Sequence, residues 1–487
     1  MSVAQVETLI DGTWQGADEW LDVWNPADLR EPVAQVPALT PAQVTEIYRA
    51  AAAGAKTWRT TSPFERAAVL RRAAALLRER ADEIAADVVA ENGKTLAEAR
   101  GEAGKAADFC EYYAGQAREA YGSLLHDARP DTRTQVQREP IGVVLAITPW
   151  NDPLLTPARK VAPALACGNA VVLKPATETP TSAMHLARAL HDAGLPAGVL
   201  NVVTGRTSQI SDALLNDASI AAVTFTGSNE VGERLRETVS TRNVRFQAEL
   251  GGKNATVVLA DADVDTAVAG IVAAGFGQGG QRCTATSRVL VESGIYEQLV
   301  ETLGARLRAI TVGDGADAAT TMGPMTSAGH RDSVVAAIKQ ARDQGATVAF
   351  GGGAPAAGTL AHGCYVEPTL LTDVTSEMDV WRDEVFGPVV VVRPVADLDE
   401  AIDAVNDSDF GLAAAIFTNQ IGAAYRFIDA VDCGQVAVNT TTTGWDVHHP
   451  FGGFRDSGSA FKEQGEEALR FYSRVKVVAI HLPEAVR

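Results

Sequence analysis

Apolar and polar residues alternate along the middle of the chain in blocks that predict strands and helices in turn. Residues 141–147 are continuously apolar, as is typical of a strand covered on both faces. A helix-like segment at 154–166 follows, and a second apolar run occupies 170–173. The order continues with helices predicted at 182–193, 208–215 and 230–239 and strands at 199–203, 221–225 and 246–250. This alternation predicts an α/β fold with a doubly wound, Rossmann-like parallel sheet.

A second block of alternating elements begins after Gly251-Gly252. We expect a second α/β domain here, with a glycine-rich connection at 351–358. Its strands are predicted at 255–259, 288–291, 389–392 and 413–417, and its helices at 296–310 and 333–344.

The N-terminal region and two further segments differ from these blocks. Residues 1–40 are short strand-like pieces broken by glycine and proline, and helices with N-cap and proline signals follow. Residues 123–140 are polar and predict a hairpin that stands away from a core. Residues 471–480 alternate like an edge strand that can pair with another chain.

The composition argues against several classes of partner. The 487 residues include 42 basic and 61 acidic side chains, a net charge of −19, which disfavours nucleic acid and anionic membranes. The five cysteines are scattered without a Cys-x-x-Cys pair, so neither a disulfide framework nor a zinc site is expected. The sequence shows no signal peptide and no apolar run long enough to span a membrane. We therefore expect a cytoplasmic protein without a metal.

One cysteine lies in a setting that suits a nucleophile. A helix-compatible segment at 267–274 leads into a glycine-rich bend that ends at Cys283. Glycines allow positive φ and close backbone approach, so free N–H groups can lie beside the thiol. The alternative is a glycine-rich turn with an inert, buried cysteine.

Polar residues follow three of the predicted parallel strands, where ligands bind in such sheets. Gly227 and Ser228 form a turn that leads into a helix and suits a pyrophosphate, although a plain tight turn fits equally well. Lys174 can meet an anion or sugar hydroxyls, or reach solvent. Asn151, after Trp150, can donate to an oxyanion or cap the next helix.

Two carboxylates stand beside predicted strands. Glu249 ends an apolar strand and is a candidate general base because burial disfavours its charge. Its alternative is an ion pair with Lys253 or another cation. Glu384 precedes a strand and can hold ribose hydroxyls or cap a loop.

Six of these residues together with Phe386 resemble, in their order along the chain, the aldehyde dehydrogenase superfamily: Asn151, Lys174, Gly227, Glu249, Cys283, Glu384 and Phe386. The resemblance covers nearly the whole chain, and its Glu-Leu-Gly-Gly-Lys and Gly-Gln-Arg-Cys elements are highly specific. It implies that Cys283 attacks an aldehyde to give a thiohemiacetal and then a thioester. Asn151 and the Cys283 N–H would hold the oxyanion, and Glu249 would activate water for hydrolysis.

The resemblance also implies NAD or NADP as the cofactor. Lys174 and Glu384 would bind ribose hydroxyls, Phe386 would pack near the nicotinamide, and Gly227 and Ser228 would cover the pyrophosphate. Trp150 is assigned to the same cofactor site.

One departure from the family concerns the cofactor. Members that prefer NAD commonly have a glutamate where this chain has Thr177, and here Glu178 follows one residue later. A hydroxyl can accommodate a 2′-phosphate that a carboxylate repels. We therefore expect NADP to be accepted, unless Glu178 turns into the same place.

A second departure concerns the substrate. Asp152 and Arg159 occupy positions where other members carry bulky rings, and Arg159 resembles the carboxylate anchor of semialdehyde-oxidising members. The alternative is an Arg159–Asp152 or surface ion pair. Nearby segments are most similar to the α-ketoglutaric semialdehyde (2,5-dioxopentanoate) dehydrogenase branch.

Three parts and three functional hypotheses follow. Residues 1–122 and 141–251 would form a discontinuous dinucleotide-binding domain, 252–446 a catalytic domain, and 123–140 with 465–487 an oligomerisation arm of a homodimer or homotetramer. The first hypothesis is NAD(P)-dependent oxidation of a short oxo-acid semialdehyde, or of a neutral aliphatic or aromatic aldehyde. The others are a CoA-acylating dehydrogenase, which Glu249 argues against, and a non-catalytic protein that keeps the fold.

Overall fold

Short strands and four helices precede the first large sheet in the computed structural model, which describes residues 3–119 and 122–482. Capping boxes begin three of the helices, as the Thr40 and Ser62 signals predict. These elements are β1 (Ala4–Gln5), β2 (Thr8–Ile10), β3 (Thr13–Gln15), β4 (Trp20–Trp24), β5 (Pro32–Pro37), α1 (Pro41–Thr60), α2 (Pro63–Glu79), α3 (Ala81–Asn92) and α4 (Leu96–Gln116).

The predicted doubly wound sheet is confirmed. Two arm strands, β6 (Gly122–Leu125) and β7 (Thr132–Pro140), come before it. Its elements are β8 (Val143–Ile147), α5 (Leu155–Ala166), β9 (Ala170–Lys174), α6 (Pro180–Asp192), β10 (Leu200–Val202), α7 (Thr207–Leu215), β11 (Ile220–Thr226), α8 (Asn229–Ser240) and β12 (Arg245–Glu249). The five strands are parallel in the order β10-β9-β8-β11-β12, so the winding reverses between β8 and β11. A crevice for a ligand is expected at that point, beside the carboxyl ends of these two strands.

A second, larger sheet holds the next block. Its strands run in the order β15-β16-β17-β14-β13-β19-β20, all parallel except β15. The elements are β13 (Ala255–Val258), α9 (Val264–Phe276), β14 (Arg288–Glu292), α10 (Tyr296–Leu307), α11 (Ala328–Asp343), β15 (Thr347–Phe350), β16 (Thr369–Thr372), α12 (Asp379–Arg382), β17 (Val389–Val395), α13 (Leu398–Asn406), β18 (Phe410–Gly411), β19 (Ala413–Phe417), α14 (Ile421–Ala430) and β20 (Gln435–Val438). Short 3-10 turns lie at Gly277–Gly280, Ser293–Ile295 and Gly358–His362.

One helix boundary predicted for this block was wrong. α11 begins at Ala328 and not at residue 333, because the Ser327 hydroxyl accepts a hydrogen bond from the His330 N–H at 3.2 Å and caps the helix there. The strands β15, β16 and β20 and the helices α13 and α14 were not predicted.

The last elements contact three parts of the fold: β18 of the second block, the core beneath the first sheet, and the arm. They are β21 (Phe454–Arg455), α15 (Gly465–Phe471) and β22 (Ser473–His481). β22 pairs antiparallel with β7, and β7 pairs with β6, so the predicted hairpin exists and the C-terminal strand joins it. α15 instead buries Ala468 and Leu469 in the core beneath the first sheet.

The three-part division and the pairing of the arm with another chain stay predictions. The parts of the predicted ranges at residues 1–2, 120–121 and 483–487 lie outside the described residues. Across the described 3–119 and 122–482, no helix is long and apolar enough to cross a membrane.

Candidate active site

A cavity of about 640 Å³ brings together most of the residues predicted for the site. Its wall includes the ends of β8 and β11, the turn before β14 and the loop before β17. Nine predicted residues line it: Trp150, Asn151, Asp152, Arg159, Gly227, Ser228, Cys283, Glu384 and Phe386. Lys174 and Thr177 line a second, smaller cavity, and Glu249 is outside the lining of both.

The turn that carries Cys283 is fixed by its backbone. Gln278, Gly279 and Gly280 have φ of 50°, 63° and 70°, so three successive residues are left-handed. A Cβ on Gly280 would lie 2.2 Å from the Gly387 carbonyl oxygen, so only glycine fits there. This is the close backbone approach that the glycine-rich sequence predicts.

Side-chain amides hold the same turn from outside. Asn254 Nδ2 donates to the carbonyl oxygens of Cys283 at 2.7 Å and of Ala285 at 2.8 Å. Asn254 Oδ1 accepts from the Ala413 N–H at 2.9 Å, so its amide is saturated and connects the turn to β19. The position of the nucleophile is therefore set by the core of the second sheet.

The Cys283 thiol faces the cavity, whereas the other four cysteines do not line it. Burial raises the pKa of the Cys283 thiol to about 12, and the positive charge of Arg159 opposes this shift. Because the thiolate is the nucleophile, reaction at neutral pH requires removal of the thiol proton.

Asn151 is held on two sides next to the thiol. Its Nδ2 donates to the Gln281 carbonyl oxygen at 2.9 Å, and its own carbonyl oxygen accepts from Lys94 Nζ at 2.8 Å. The second N–H of the amide is left for a ligand. The alternative role as a helix cap is wrong, because Glu102 Oε1 accepts from the N–H groups of Leu154 and Leu155 at the start of α5.

Glu249 is buried behind the cavity wall. Its Oε1 accepts from Gln247 Nε2 at 3.1 Å, and its Oε2 has no partner within the described part of the chain. The carboxyl lies against Gly452, where a Cβ would be 2.5 Å from Oε1. Burial and then the charge of Glu463 raise the pKa of Glu249 well above its usual range.

Lys253, the named alternative partner for Glu249, was wrong. Lys253 Nζ donates to the Asp383 carbonyl oxygen at 2.6 Å, on the other side of the Gly251-Gly252 segment. The cations that act on Glu249 are Lys160, Lys462 and Arg159.

Sequence reasoning missed the carboxylate that organises these cations. Glu463 is 1% exposed; it contacts Lys160 Nζ and lies 3.5 Å from Arg159 Nη1. Lys160 Nζ also donates to Thr224 Oγ1 at 2.9 Å. The only signal in the sequence is a pair of adjacent basic residues on α5, which does not identify a partner about 300 positions away.

Arg159 therefore has a different partner from the one considered. It pairs with Glu463, and its guanidinium lies 4.9 Å from the Phe451 ring centroid and 5.7 Å from that of Phe109. Asp152 instead faces Lys94 Nζ at 3.4 Å and accepts from Gln278 Nε2 at 3.0 Å. An Arg159–Asp152 ion pair is thus excluded, while both side chains still line the cavity.

The loop before β17 presents Glu384 and Phe386 to the cavity. Glu384 Oε1 accepts from the Gly252 N–H at 2.9 Å, and burial raises its pKa to about 7. Phe386 has φ of 55°, and its ring lies 5.3 Å from the Trp150 ring and 6.1 Å from that of His330. His330, which was not predicted, completes this aromatic cluster by bonding the Phe386 carbonyl oxygen at 2.8 Å.

The carboxyl ends of β8 and β11 leave polar groups without partners. The hydroxyls of Thr148 and Thr226 are buried and unbonded within the described residues. α8 begins after Ser228 without a side-chain cap, so its first N–H groups are free for an anion. These groups fit a dinucleotide that lies across the point where the sheet winding reverses.

Lys174 and Thr177 lie at the far side of the same sheet edge. Lys174 Nζ donates to the Pro175 carbonyl oxygen at 2.7 Å, and burial lowers its pKa to about 8. Thr177 and Glu178 are both exposed beside the smaller cavity. The described residues contain no cluster of His, Cys, Asp and Glu able to hold a metal ion.

Comparisons with known proteins agree with this geometry. The aldehyde dehydrogenase family matches residues 14–478. The α-ketoglutarate semialdehyde dehydrogenase of Haloferax volcanii is 42% identical over 472 residues, 96% of this chain and 98% of the relative. The phenylacetaldehyde dehydrogenase of Pseudomonas fluorescens is 40% identical over 485 residues, 97% of this chain and 95% of the relative.

A solved structure supports the same assignment. The crystal structure of betaine aldehyde dehydrogenase from Staphylococcus aureus with NAD+ has a TM-score of 0.95 and 32% identity, and the match covers 98% of this chain and 94% of that one. Since the family match and these relatives extend over nearly all of the sequence, the chain belongs to the aldehyde dehydrogenase family.

Proposed function

We propose that this enzyme oxidises a short oxo-acid semialdehyde to the dicarboxylate with NAD or NADP. The observation that carries the proposal is one cavity lined by a thiol, a side-chain amide and two arginines: Cys283, Asn151, Arg159 and Arg282. The thiol and amide supply acyl chemistry, and the arginines supply recognition of a carboxylate.

The first step belongs to Cys283. Once the thiol has released its proton to water in the cavity, the sulfur bonds to the aldehyde carbon as the carbonyl π bond breaks. The oxygen becomes an oxyanion beside the free N–H of the Asn151 amide and the Cys283 N–H. Because Asn151 is held by Gln281 and Lys94, the donor is oriented before the substrate arrives. The nearby charge of Arg159 favours the thiolate and lowers the pKa that burial raises.

The cofactor site is proposed for the crevice above β8 and β11. Thr226, Gly227, Ser228 and the open start of α8 would hold the pyrophosphate, with Trp150 and Phe386 beside the nicotinamide. Glu384 and Lys174 would meet ribose hydroxyls. The chemistry that NAD or NADP supplies there is acceptance of a hydride, which leaves a thioester on Cys283.

Glu249 is proposed as the base for hydrolysis of the thioester. A raised pKa lets a carboxylate accept a proton from water near neutral pH. Its carboxyl points toward Gly452, so it must turn into the cavity to reach water at Cys283. Because Oε2 has no partner among the described residues, this rotation breaks only the hydrogen bond that Oε1 accepts from Gln247.

The cofactor preference, compartment and assembly are part of the same proposal. Thr177 lets NADP bind, and a more than hundredfold preference for NAD in kcat/KM would contradict this. The five free cysteines support a cytoplasmic location, and the outer edge of β22 supports a homodimer or homotetramer.

A second candidate substrate class has a specific observation in its favour. The aromatic rings of Trp445 and Phe451 also line the cavity, and one relative is a phenylacetaldehyde dehydrogenase. Neutral aliphatic or aromatic aldehydes would be oxidised by the same residues. A CoA-acylating reaction is less well supported because Glu249 is present.

The test is kcat/KM for NAD and NADP, each with α-ketoglutaric semialdehyde, succinic semialdehyde, a neutral aliphatic aldehyde and benzaldehyde. The proposal predicts that the carboxylate-bearing aldehydes are preferred at least about tenfold, or about 1.4 kcal/mol of transition-state binding. Preference for benzaldehyde or the neutral chain would leave the chemistry intact and overturn the substrate class. No reduction of either cofactor with any aldehyde would point to a protein that keeps the fold without the activity.

A further inference from the structure

Six charged side chains from α4, α5, the segment before α5 and the turn before Cys283 line the cavity, and five of them are already engaged. The six are Glu98, Glu102, Lys105, Asp152, Arg159 and Arg282. Glu102 contacts the buried Lys94, and Lys105 lies 3.1 Å from Asp446. Glu98 accepts from the Gln278 N–H at 2.6 Å.

Arg159, like Lys105, already has a carboxylate partner in the protein. Its Nη1 lies 3.5 Å from Glu463, and its planar group stacks near Phe109 and Phe451. A ligand carboxylate at Arg159 therefore competes with a buried carboxylate that is already present.

Arg282 differs from all of these. Its Nε donates to Gln278 Oε1 at 2.5 Å, and no carboxylate in 3–119 and 122–482 forms an ion pair with it. Its two terminal nitrogens have no protein hydrogen bond in the same ranges. Although burial opposes the shift, the charges of Lys94 and then Arg282 lower the pKa of Asp152, which keeps this neighbour ionised.

The direction of the Arg282 side chain is set by a strained residue. Gln278 is left-handed, with φ of 50°. Its side-chain amide donates to Asp152 and accepts from Arg282, so it bridges the two. With Nε occupied, the terminal nitrogens are left as a parallel pair of donors. That geometry matches the two oxygens of a carboxylate.

We propose that Arg282 binds the distal carboxylate of a short ω-oxo carboxylate whose aldehyde carbon is at Cys283. Arg159 contributes less to binding of this carboxylate, because Glu463 already balances the charge of Arg159. Since Arg282 and Cys283 line the same cavity, one small acid can meet both side chains. This inference rests on the proposed function and names the residue that gives it selectivity.

The test compares Arg282→Gln, Arg282→Lys and Arg159→Gln with the unchanged enzyme, and Arg118→Gln serves as a control for loss of an exposed arginine outside the cavity. The measured quantity is the ratio of kcat/KM for succinic semialdehyde to that for butanal, which has the same number of carbons. We expect Arg282→Gln to lower the ratio about 10- to 100-fold, mainly through KM. Arg282→Lys should lower it less, and Arg159→Gln should also lower it less.

A binding measurement removes turnover from the test. Succinate, as an unreactive dicarboxylate, should release or absorb heat on binding to the unchanged enzyme and to Arg282→Lys, and not to Arg282→Gln. Alkylation by iodoacetamide that is confined to Cys283 and spares the buried Cys110 and Cys364 shows in each variant that the fold is intact. If Arg282→Gln does not fold, the Arg282→Lys ratio decides.

Two results would overturn the inference, and they differ in what else they overturn. If the unchanged enzyme prefers succinic semialdehyde but Arg282→Gln keeps the ratio, or Arg159→Gln lowers it more, only the role of Arg282 is wrong. If the unchanged enzyme shows no preference for the carboxylate, the proposed substrate class is wrong as well.

Discussion

Cys283 and Glu249 lie on opposite sides of one cavity wall in opposite kinds of surroundings. The turn of Cys283 is held by three left-handed residues and by both donors of the Asn254 amide. The carboxyl of Glu249 accepts one hydrogen bond and leaves Oε2 without a partner in the described residues. The comparison suggests that the nucleophile is fixed for attack, whereas the base is stored and turns in for hydrolysis.

Among changes on the Cys283 side of the wall, replacement of the fixed oxyanion donor should have the largest effect. Asn151→Ala removes the amide beside Cys283, and loss of one such donor lowers kcat by about 10²- to 10³-fold. The hydrogen bond from Lys94 should survive this substitution, because Lys94 donates to the main-chain oxygen of residue 151 and not to its side chain. Steady-state kinetics with a saturating aldehyde measures the drop; a change confined to KM would contradict the assignment.

Loosening of the Cys283 turn should have a smaller effect. Asn254→Ala frees the carbonyl oxygens of Cys283 and Ala285, and a displaced nucleophile should lower the rate about tenfold or more. The rate of Cys283 alkylation by iodoacetamide should change with it. Asn201→Ala is a matched control, because Asn201 is equally buried and bonds the Gly198 carbonyl oxygen far from the cavity; an equal change there would reduce the effect to general destabilisation.

The burial of the Glu249 carboxyl should make the stability of the folded protein depend on pH. A carboxyl whose folded pKa is raised makes folding less favourable as pH rises above its unfolded pKa, because only the unfolded chain releases the proton. Glu249→Gln should therefore raise Tm by more at pH 8 than at pH 6. Thermal unfolding at the two pH values measures this, with the exposed Glu297→Gln as control; a gain that shrinks toward pH 8 would contradict a raised pKa.

The first sheet was predictable because its strands are covered on both faces and read as continuous apolar runs. β15 and β20 were not, because they are four-residue outer strands of the second sheet and are too short to give a clear pattern. α11 was placed too late because the cap at Ser327 was overlooked.

The site divides in a similar way. Strand-end residues such as Asn151 and Gly227 could be read from the order of elements, because parallel strands end at one edge. The Arg159–Glu463 and Lys160–Glu463 pairs could not, since the partners are about 300 residues apart and no local pattern connects them. The direction of the Glu249 carboxyl was also hidden, because its contact with Gly452 depends on how two distant segments pack.

The most direct test of a fixed nucleophile with a separate, mobile base is rapid-mixing kinetics of Glu249→Gln with succinic semialdehyde and NAD or NADP. We expect a burst of one reduced cofactor per Cys283, followed by turnover slowed about 10²- to 10⁴-fold, with an acyl group on Cys283 visible by mass spectrometry. A steady rate like that of the unchanged enzyme, or loss of the burst itself, would contradict it.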